Sequence, residues 1–221
     1  MIGLLRRLEA LLYSKKEKRH QLVGPPKLWK MKQDFQINFV KEKGLKATDH
    51  FMDIGCGTLR GGIPIIRFLD EGHYYGIDVR ENVIREGLKE LDEEGLTDKS
   101  PNVECFESFD KLVYPVKFDM VWAFSVLIHL EDSICKACLA FVKRHLNEEG
   151  TFYANVNIGE RPEGHWQGYP VMYKSLTFYE ELAEKYQLRL ENLGTLGELG
   201  HISGSKPGDS QIMLAFSHQA T

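Results

Sequence analysis

The segment Phe51-Met52-Asp53-Ile54-Gly55-Cys56-Gly57 most narrows the folds open to this 221-residue chain. Its first four residues read as a short buried strand. Two glycines then let the backbone turn sharply and let a ligand approach with no Cβ in the way. Gly62 to Leu69 follows as a helix, with Pro64 in the first turn where proline is tolerated. A second strand, Tyr74 to Asp78, ends in an acid 23 residues after Gly55. Strand, glycine turn, helix and strand make the repeating unit of a parallel sheet. The loop at the carboxyl end of its first strand is the usual ligand crevice. An acid at the end of the second strand can accept both hydroxyls of a ribose.

The rest of the chain continues the alternation. Val103 to Phe106, Phe118 to Phe124, Thr151 to Val156, Leu188 to Leu193 and Gln211 to Phe216 read as further strands. Glu81 to Glu94, Ser133 to Leu146 and Ser175 to Tyr186 read as helices. Phe118 to Phe124 is apolar except for Asp119, which suits a central strand covered on both faces. The expected architecture is α/β: a doubly wound, mostly parallel seven-stranded sheet with helices on both faces. Ahead of it, Leu28 to Lys43 reads as a helix with Trp29, Phe35, Phe39 and Val40 on one side. Residues 1–12 carry a short amphipathic stripe, and Val23-Gly24-Pro25-Pro26 breaks the chain between them. We divide the chain into a basic helical arm or cap, 1–46, and a body, 47–221.

Charge separates these two parts. The arm holds 12 Lys and Arg against 4 Asp and Glu, the body 16 against 28, and the whole carries −4. An acidic body is a poor general clamp for nucleic acid, because phosphates need a basic surface. The arm can dock on the acidic body. It can equally touch an anionic membrane surface, or associate with a second copy of the chain. Hydrophobic residues at 43% and charged residues at 27% exclude wholesale disorder. Four sparse cysteines, the absence of a secretory pattern at the start and the lack of a long apolar run lead us to expect a cytoplasmic protein. Cys135 and Cys138 spell C-x-x-C. With no second pair they read as small core residues of a helix, and we expect no metal site.

The linked motifs resemble those of the class I S-adenosylmethionine-dependent methyltransferases, over about Phe51 to Val156. Asp53, Gly55 and Gly57 match that family's acid-x-Gly-x-Gly. Asp78 matches its ribose-binding acid, and Phe118-Asp119-Met120-Val121 matches the start of its fourth strand. The resemblance implies a Rossmann-like fold, S-adenosylmethionine as donor and S-adenosylhomocysteine as product. It implies a cofactor site at Asp53, Gly55, Cys56, Gly57, Asp78, Val79, Phe109 and Ser125. The family often has a third glycine where this chain has Leu59, so the loop is expected to differ there. Arg60 reads as a solvated loop charge or a contact for the donor's carboxylate.

For the acceptor side, His129 follows the fourth strand and reads either as a general base or as a packed structural histidine. The stretch Gly159 to Tyr179 is rich in aromatics. His165, Trp166, Tyr169 and Tyr173, with Trp29 from the arm, are candidates for an acceptor pocket; packing is the alternative for each. Absent motifs exclude several chemistries. There is no P-loop, no H-E-x-x-H and no G-x-S-x-G. The Asp/Asn-Pro-Pro-Tyr signature of methyltransferases acting on planar amino groups is also missing. That leaves a hydroxyl, an aliphatic amine or a carbon of a small molecule as acceptor, and the expectation among them is O-methylation of a small molecule or glycan hydroxyl. The alternatives are an NAD-dependent oxidoreductase, disfavoured because Arg60 stands where the third dinucleotide glycine would be, a methyltransferase acting on RNA or protein, and a binding module without catalysis.

Overall fold

The structure is a computed structural model that describes residues 14–160 and 164–219. The stripe at residues 1–12 lies outside the described residues. The strands are β1 (Phe51–Ile54), β2 (Tyr74–Asp78), β3 (Asn102–Cys105), β4 (Phe118–Ala123), β5 (Leu146–Val156), β6 (Gly164–Trp166), β7 (Tyr169–Val171), β8 (Leu188–Thr195) and β9 (Ile212–His218). Seven of them form one sheet in the order β3-β2-β1-β4-β5-β9-β8. The pairs from β3 to β5 are parallel, and β9 runs antiparallel to both β5 and β8. This is the doubly wound arrangement expected from the alternation.

The helices are α1 (Lys15–Gln21), α2 (Trp29–Glu42), α3 (Gly62–Phe68), α4 (Glu81–Glu93), α5 (Asp132–His145), α6 (Leu176–Lys185) and the single turn α7 (Lys206–Asp209). β4 explains why both faces of the sheet are covered. Val121 and Ala123 join the core around Leu139, Phe141 and Phe152. Met120 and Trp122 join the opposite core around Phe35, Phe39 and Ile63. Side chains alternate along a strand, so a continuous apolar run needs a helix layer on each side. Asp119 interrupts that run because it anchors the base of the sheet. Its carboxylate accepts from the His50 amide at 2.9 Å and from Asn147 Nδ2 at 2.7 Å. Cys135 and Cys138 are fully buried in the α5 core, as their helical spacing suggests.

The described part of the arm rests on the body. Ser14 caps α1, accepting from the Glu17 amide, while Glu17 accepts from the Ser14 amide. α1 then docks on α4 through charge. Arg19 reaches Glu93 with two bonds of 2.8 and 2.9 Å, and His20 meets Glu90 at 3.0 Å. The His20 ring stacks on Trp29 with centroids 3.4 Å apart. Trp29 is thus arm packing, 7% exposed. α2 lies over the sheet, where Gln36 Oε1 accepts from Trp122 Nε1 at 3.1 Å.

A hairpin, β6–β7, is built into the stretch expected only as an aromatic loop. Gln167 at φ 51° and Gly168 at φ 88° form its two-residue turn. Positive φ at both positions suits the right-handed twist of the flanking strands. No described helix is long and apolar enough to cross a membrane.

Candidate active site

Strand order reverses between β1 and its neighbours β2 and β4, so the loops after β1 and β4 diverge and leave a crevice at their carboxyl ends. The Gly55–Gly57 turn forms one wall. The Gly55 and Cys56 amides donate to the Ile77 carbonyl at 2.7 and 3.0 Å, which folds the loop back over β2. Gly55 and Gly57 have φ of 73° and 57°. A Cβ on Gly55 would stand 2.3 Å from Val126 Cγ2, across the crevice. Glycine is therefore required twice over at this position, by dihedral and by space. Leu59, at the family's glycine place, also adopts a left-handed φ of 57° and is fully buried. The loop thus keeps a glycine-like turn with a leucine in it, at a backbone cost of about 1–2 kcal/mol.

The crevice opens into a cavity of about 760 Å³. Of the residues expected at a donor site, Asp53, Gly55, Cys56, Gly57, Asp78, Val79, Phe109 and Ser125 all line it. Asp53 is 4% exposed and accepts from the Tyr74 hydroxyl at 2.7 Å. Burial pushes its carboxyl up to about 7, against the opposing Tyr74 hydrogen bond. Burial likewise raises the Cys56 thiol, which removes it as a nucleophile. Ser125 sits at φ 61° with its amide donating to Asn155 Oδ1 at 2.6 Å. Phe109 is 3% exposed and packs on Phe106 and Phe141.

Asp78 is held by several donors. Oδ1 accepts from the Arg80 amide at 2.9 Å and from Arg80 Nε at 3.1 Å. Oδ2 accepts from the Gly57 amide at 3.1 Å and from Arg80 Nη2 at 3.3 Å. Arg80 also donates to the Leu22 carbonyl and lies over the Tyr169 ring. Beside it, Arg60 Nη1 donates to the Val23 carbonyl at 3.0 Å, and Gln167 Nε2 donates to the Gln21 carbonyl at 3.2 Å. Three consecutive carbonyls of the arm are thus pinned by three side chains from different elements. Val23, Gly24 and Pro25 become part of the cavity wall. The sequence marks this stretch as a breaker but does not reveal that use. Arg60 itself lines the cavity, so it is no solvated loop charge.

His129 lines the same cavity. Its Nδ1 lies 2.7 Å from the Pro170 carbonyl, which can only accept, so Nδ1 carries the hydrogen. Nε2 has no partner among the described residues. Burial lowers the imidazole below its ordinary value, against the raising effect of the Pro170 bond. The ring stacks near Trp166, with centroids 5.6 Å apart, and faces Tyr169 at 6.3 Å. Trp166 and Tyr169 line the cavity with it; Trp29, His165 and Tyr173 do not. His165 is exposed and Tyr173 is half-buried. The cavity also includes Lys32 and Gln211, to which the sequence gives no site signal. A neutral imidazole with a free lone pair, beside a glycine cradle and a buried acid, can take a proton from a ligand placed between them.

Comparison with known proteins agrees with this arrangement. A model described as a methyltransferase domain matches residues 45–194. An uncharacterized methyltransferase of Schizosaccharomyces pombe is 32% identical over 108 residues, 46% of this chain and 37% of that protein. A probable methyltransferase of Aspergillus luteorubrus is 30% identical over 82 residues, 35% of this chain and 29% of that protein. The chain thus spans roughly a third of the length of these curated relatives. Among solved structures, an S-adenosylmethionine-dependent methyltransferase from Clostridium acetobutylicum superposes with a TM-score of 0.65 at 15% identity, covering 87% of this chain and 92% of that one. Magnesium protoporphyrin IX methyltransferase from Synechocystis, with S-adenosylmethionine bound, gives 0.68 at 14% identity, covering 98% and 96%. The chain belongs to the methyltransferase domain family, with the Rossmann-like fold of the class I enzymes that use S-adenosylmethionine as methyl donor.

Proposed function

We propose that this chain transfers a methyl group from S-adenosylmethionine to a hydroxyl of a small molecule or glycan. The observation that carries this reading is the pairing, in one cavity, of the Gly55–Gly57 cradle with a neutral His129 whose Nε2 has no partner among the described residues. The residues present suit the donor. The cradle leaves room that a Cβ on Gly55 would fill. Asp78 supplies a buried carboxylate suited to ribose hydroxyls, and Phe109 and Val79 supply apolar surface suited to a purine. Asp53, Cys56 and Ser125 complete the wall of this donor site. Bound S-adenosylmethionine would supply an electrophilic methyl group on a positively charged sulfur. The chain supplies the rest. The cradle orients, the pinned arm and the hairpin exclude water, and His129 Nε2 accepts the hydroxyl proton while Pro170 fixes its tautomer. Trp166 and Tyr169 offer flat walls for the acceptor.

An NAD-dependent reading shares the glycine turn and Asp78, but it is disfavoured by Arg60 in place of the third glycine and by the buried Asp53 beside the turn, where a pyrophosphate would sit. Supplying methyl-labelled S-adenosylmethionine with panels of hydroxylated metabolites and glycans tests the reading. We expect label in base-stable ethers. Label confined to amines, RNA or protein would refute it.

A further inference from the structure

Two cations line the cavity with no ion-pair partner among the described residues, each offset only at longer range, Lys32 by Asp209 and Arg60 by Asp53. Lys32 projects from α2, and its ammonium lies 5.9 Å from the centroid of the Phe124 ring. Arg60 follows the glycine turn, with its guanidinium carbon 5.9 Å from the Trp29 ring centroid. Among the described residues, Lys32 Nζ makes no hydrogen bond. No carboxylate of the described residues lies within 4.0 Å of either cation. Among the described residues, Arg60 donates to the Val23 carbonyl alone, and its buried Nε has no partner. Each other nearby charge is engaged. Asp78 is occupied by Arg80, Asp53 by Tyr74, and Asp209 by His201 and Ser203.

Placing two like charges in one cavity, beside aromatic rings and without an anion, opposes folding. The strain is visible in their acidity. Burial, then the neighbouring Arg60, lowers Lys32 to about 8 against the attraction of Asp209, and burial lowers Arg60 to about 10 against that of Asp53. Among the described residues, neither side chain has a carboxylate in direct contact. An anionic ligand suits both, since an oxyanion can accept from the Lys32 ammonium and from the Arg60 guanidinium where it faces the cavity.

We propose that Lys32 and Arg60 form an oxyanion subsite for the acceptor, whose hydroxyl faces His129 while a carboxylate or phosphate elsewhere on the molecule lies against the two cations. This rests on the donor and acceptor reading given above, and it narrows the substrate class to acidic small molecules. The competing occupant is the carboxylate of the donor itself.

The test uses the full chain and the Lys32→Met and Lys32→Arg variants. Each is titrated with inorganic phosphate, phenyl phosphate and benzoate, alone and after saturation with S-adenosylhomocysteine. We expect saturable binding of at least one of these anions to the wild type. We expect at least a tenfold weaker affinity in Lys32→Met, recovered in Lys32→Arg, and no more than a twofold change for S-adenosylhomocysteine. Phosphate and benzoate distinguish the two sources of the oxyanion. The melting temperature of Lys32→Met should hold or rise, because an unpaired cation is removed; a fall would assign Lys32 to the fold and overturn the proposal. Tenfold weaker S-adenosylhomocysteine binding with unchanged methylthioadenosine binding would give the cations to the donor's carboxylate and overturn it too. Absence of anion binding in both states would also overturn it. Absence of S-adenosylhomocysteine binding alone would instead defeat the donor reading, leaving the anion titration of the free protein to decide this one.

Discussion

Replacing Asp78 with Asn tests the proposed donor site at its most engaged residue. The side chain keeps its shape and loses its charge. In the structure its two oxygens accept from the Gly57 amide, the Arg80 amide, and Arg80 Nε and Nη2, at 2.9–3.3 Å. Asn can accept on one oxygen only, and its amide nitrogen presents hydrogens to a donor. The carboxylate is 4% exposed, whereas the Arg80 side chain is 21% exposed, so water takes over part of what Arg80 loses. The stability loss should then be about 1–3 kcal/mol, or a few degrees of melting temperature in a chain of this size. Binding should suffer separately. Losing one charge-assisted hydrogen bond to a ribose hydroxyl is worth about 1.5–3 kcal/mol, which is about 10- to 150-fold in Kd. Calorimetric titration with S-adenosylhomocysteine and with methylthioadenosine reads this directly. The two share the ribose and differ in the amino-acid end, so both should weaken by the same factor. A folded variant that binds S-adenosylhomocysteine within threefold of wild type would refute the ribose assignment.

Three other perturbations follow from the same geometry. His129→Ala should slow transfer by 10²–10⁴-fold with S-adenosylhomocysteine affinity unchanged. The wild-type rate should level off below the pH at which an ordinary histidine titrates, because burial favours the neutral ring; normal turnover would make His129 a packing residue. Gly55→Ala combines a left-handed φ of 73° with a Cβ 2.3 Å from Val126 Cγ2. It should therefore destabilise by at least about 1–3 kcal/mol in denaturant unfolding, and adding Val126→Ala should recover the clash but not the backbone strain. The Asp53 carboxyl titrates near 7 when folded, above its unfolded value. The folded state therefore holds this proton more tightly, and its contribution to stability is complete below about pH 4 and is lost as pH rises through 7. Asp53→Asn should remove that decline; parallel stability curves for the two proteins would contradict it.

The fold was legible because its signals are local. β1 and β4 are apolar runs that only a doubly covered sheet accommodates, and Gly55 and Gly57 announce the turn between strand and helix. The C-x-x-C pattern was readable as core from its helical spacing. The capping signature Ser14-x-x-Glu17 was available and marks α1, yet the charges around it obscure the short helix. What stayed hidden depends on partners distant in sequence. Arg80 meets Leu22 across 58 residues and Gln167 meets Gln21 across 146. No period in the chain marks the Val23–Pro25 breaker as a cavity wall. Arg60 looks like a loop charge until α2 and the arm close over it. Lys32 has the helical spacing of a surface lysine, and only the packing of α2 turns it toward Phe124. Leu59 occupies a glycine conformation that residue identity does not advertise.

The central claim is that the cavity beside Gly55–Gly57 binds S-adenosylmethionine rather than a dinucleotide. Titration calorimetry of the full chain with S-adenosylhomocysteine, with NAD in parallel, tests it most directly. We expect saturable one-site binding of S-adenosylhomocysteine at about −8 kcal/mol, a micromolar Kd, and no heat with NAD. Saturable NAD binding without S-adenosylhomocysteine binding would contradict it.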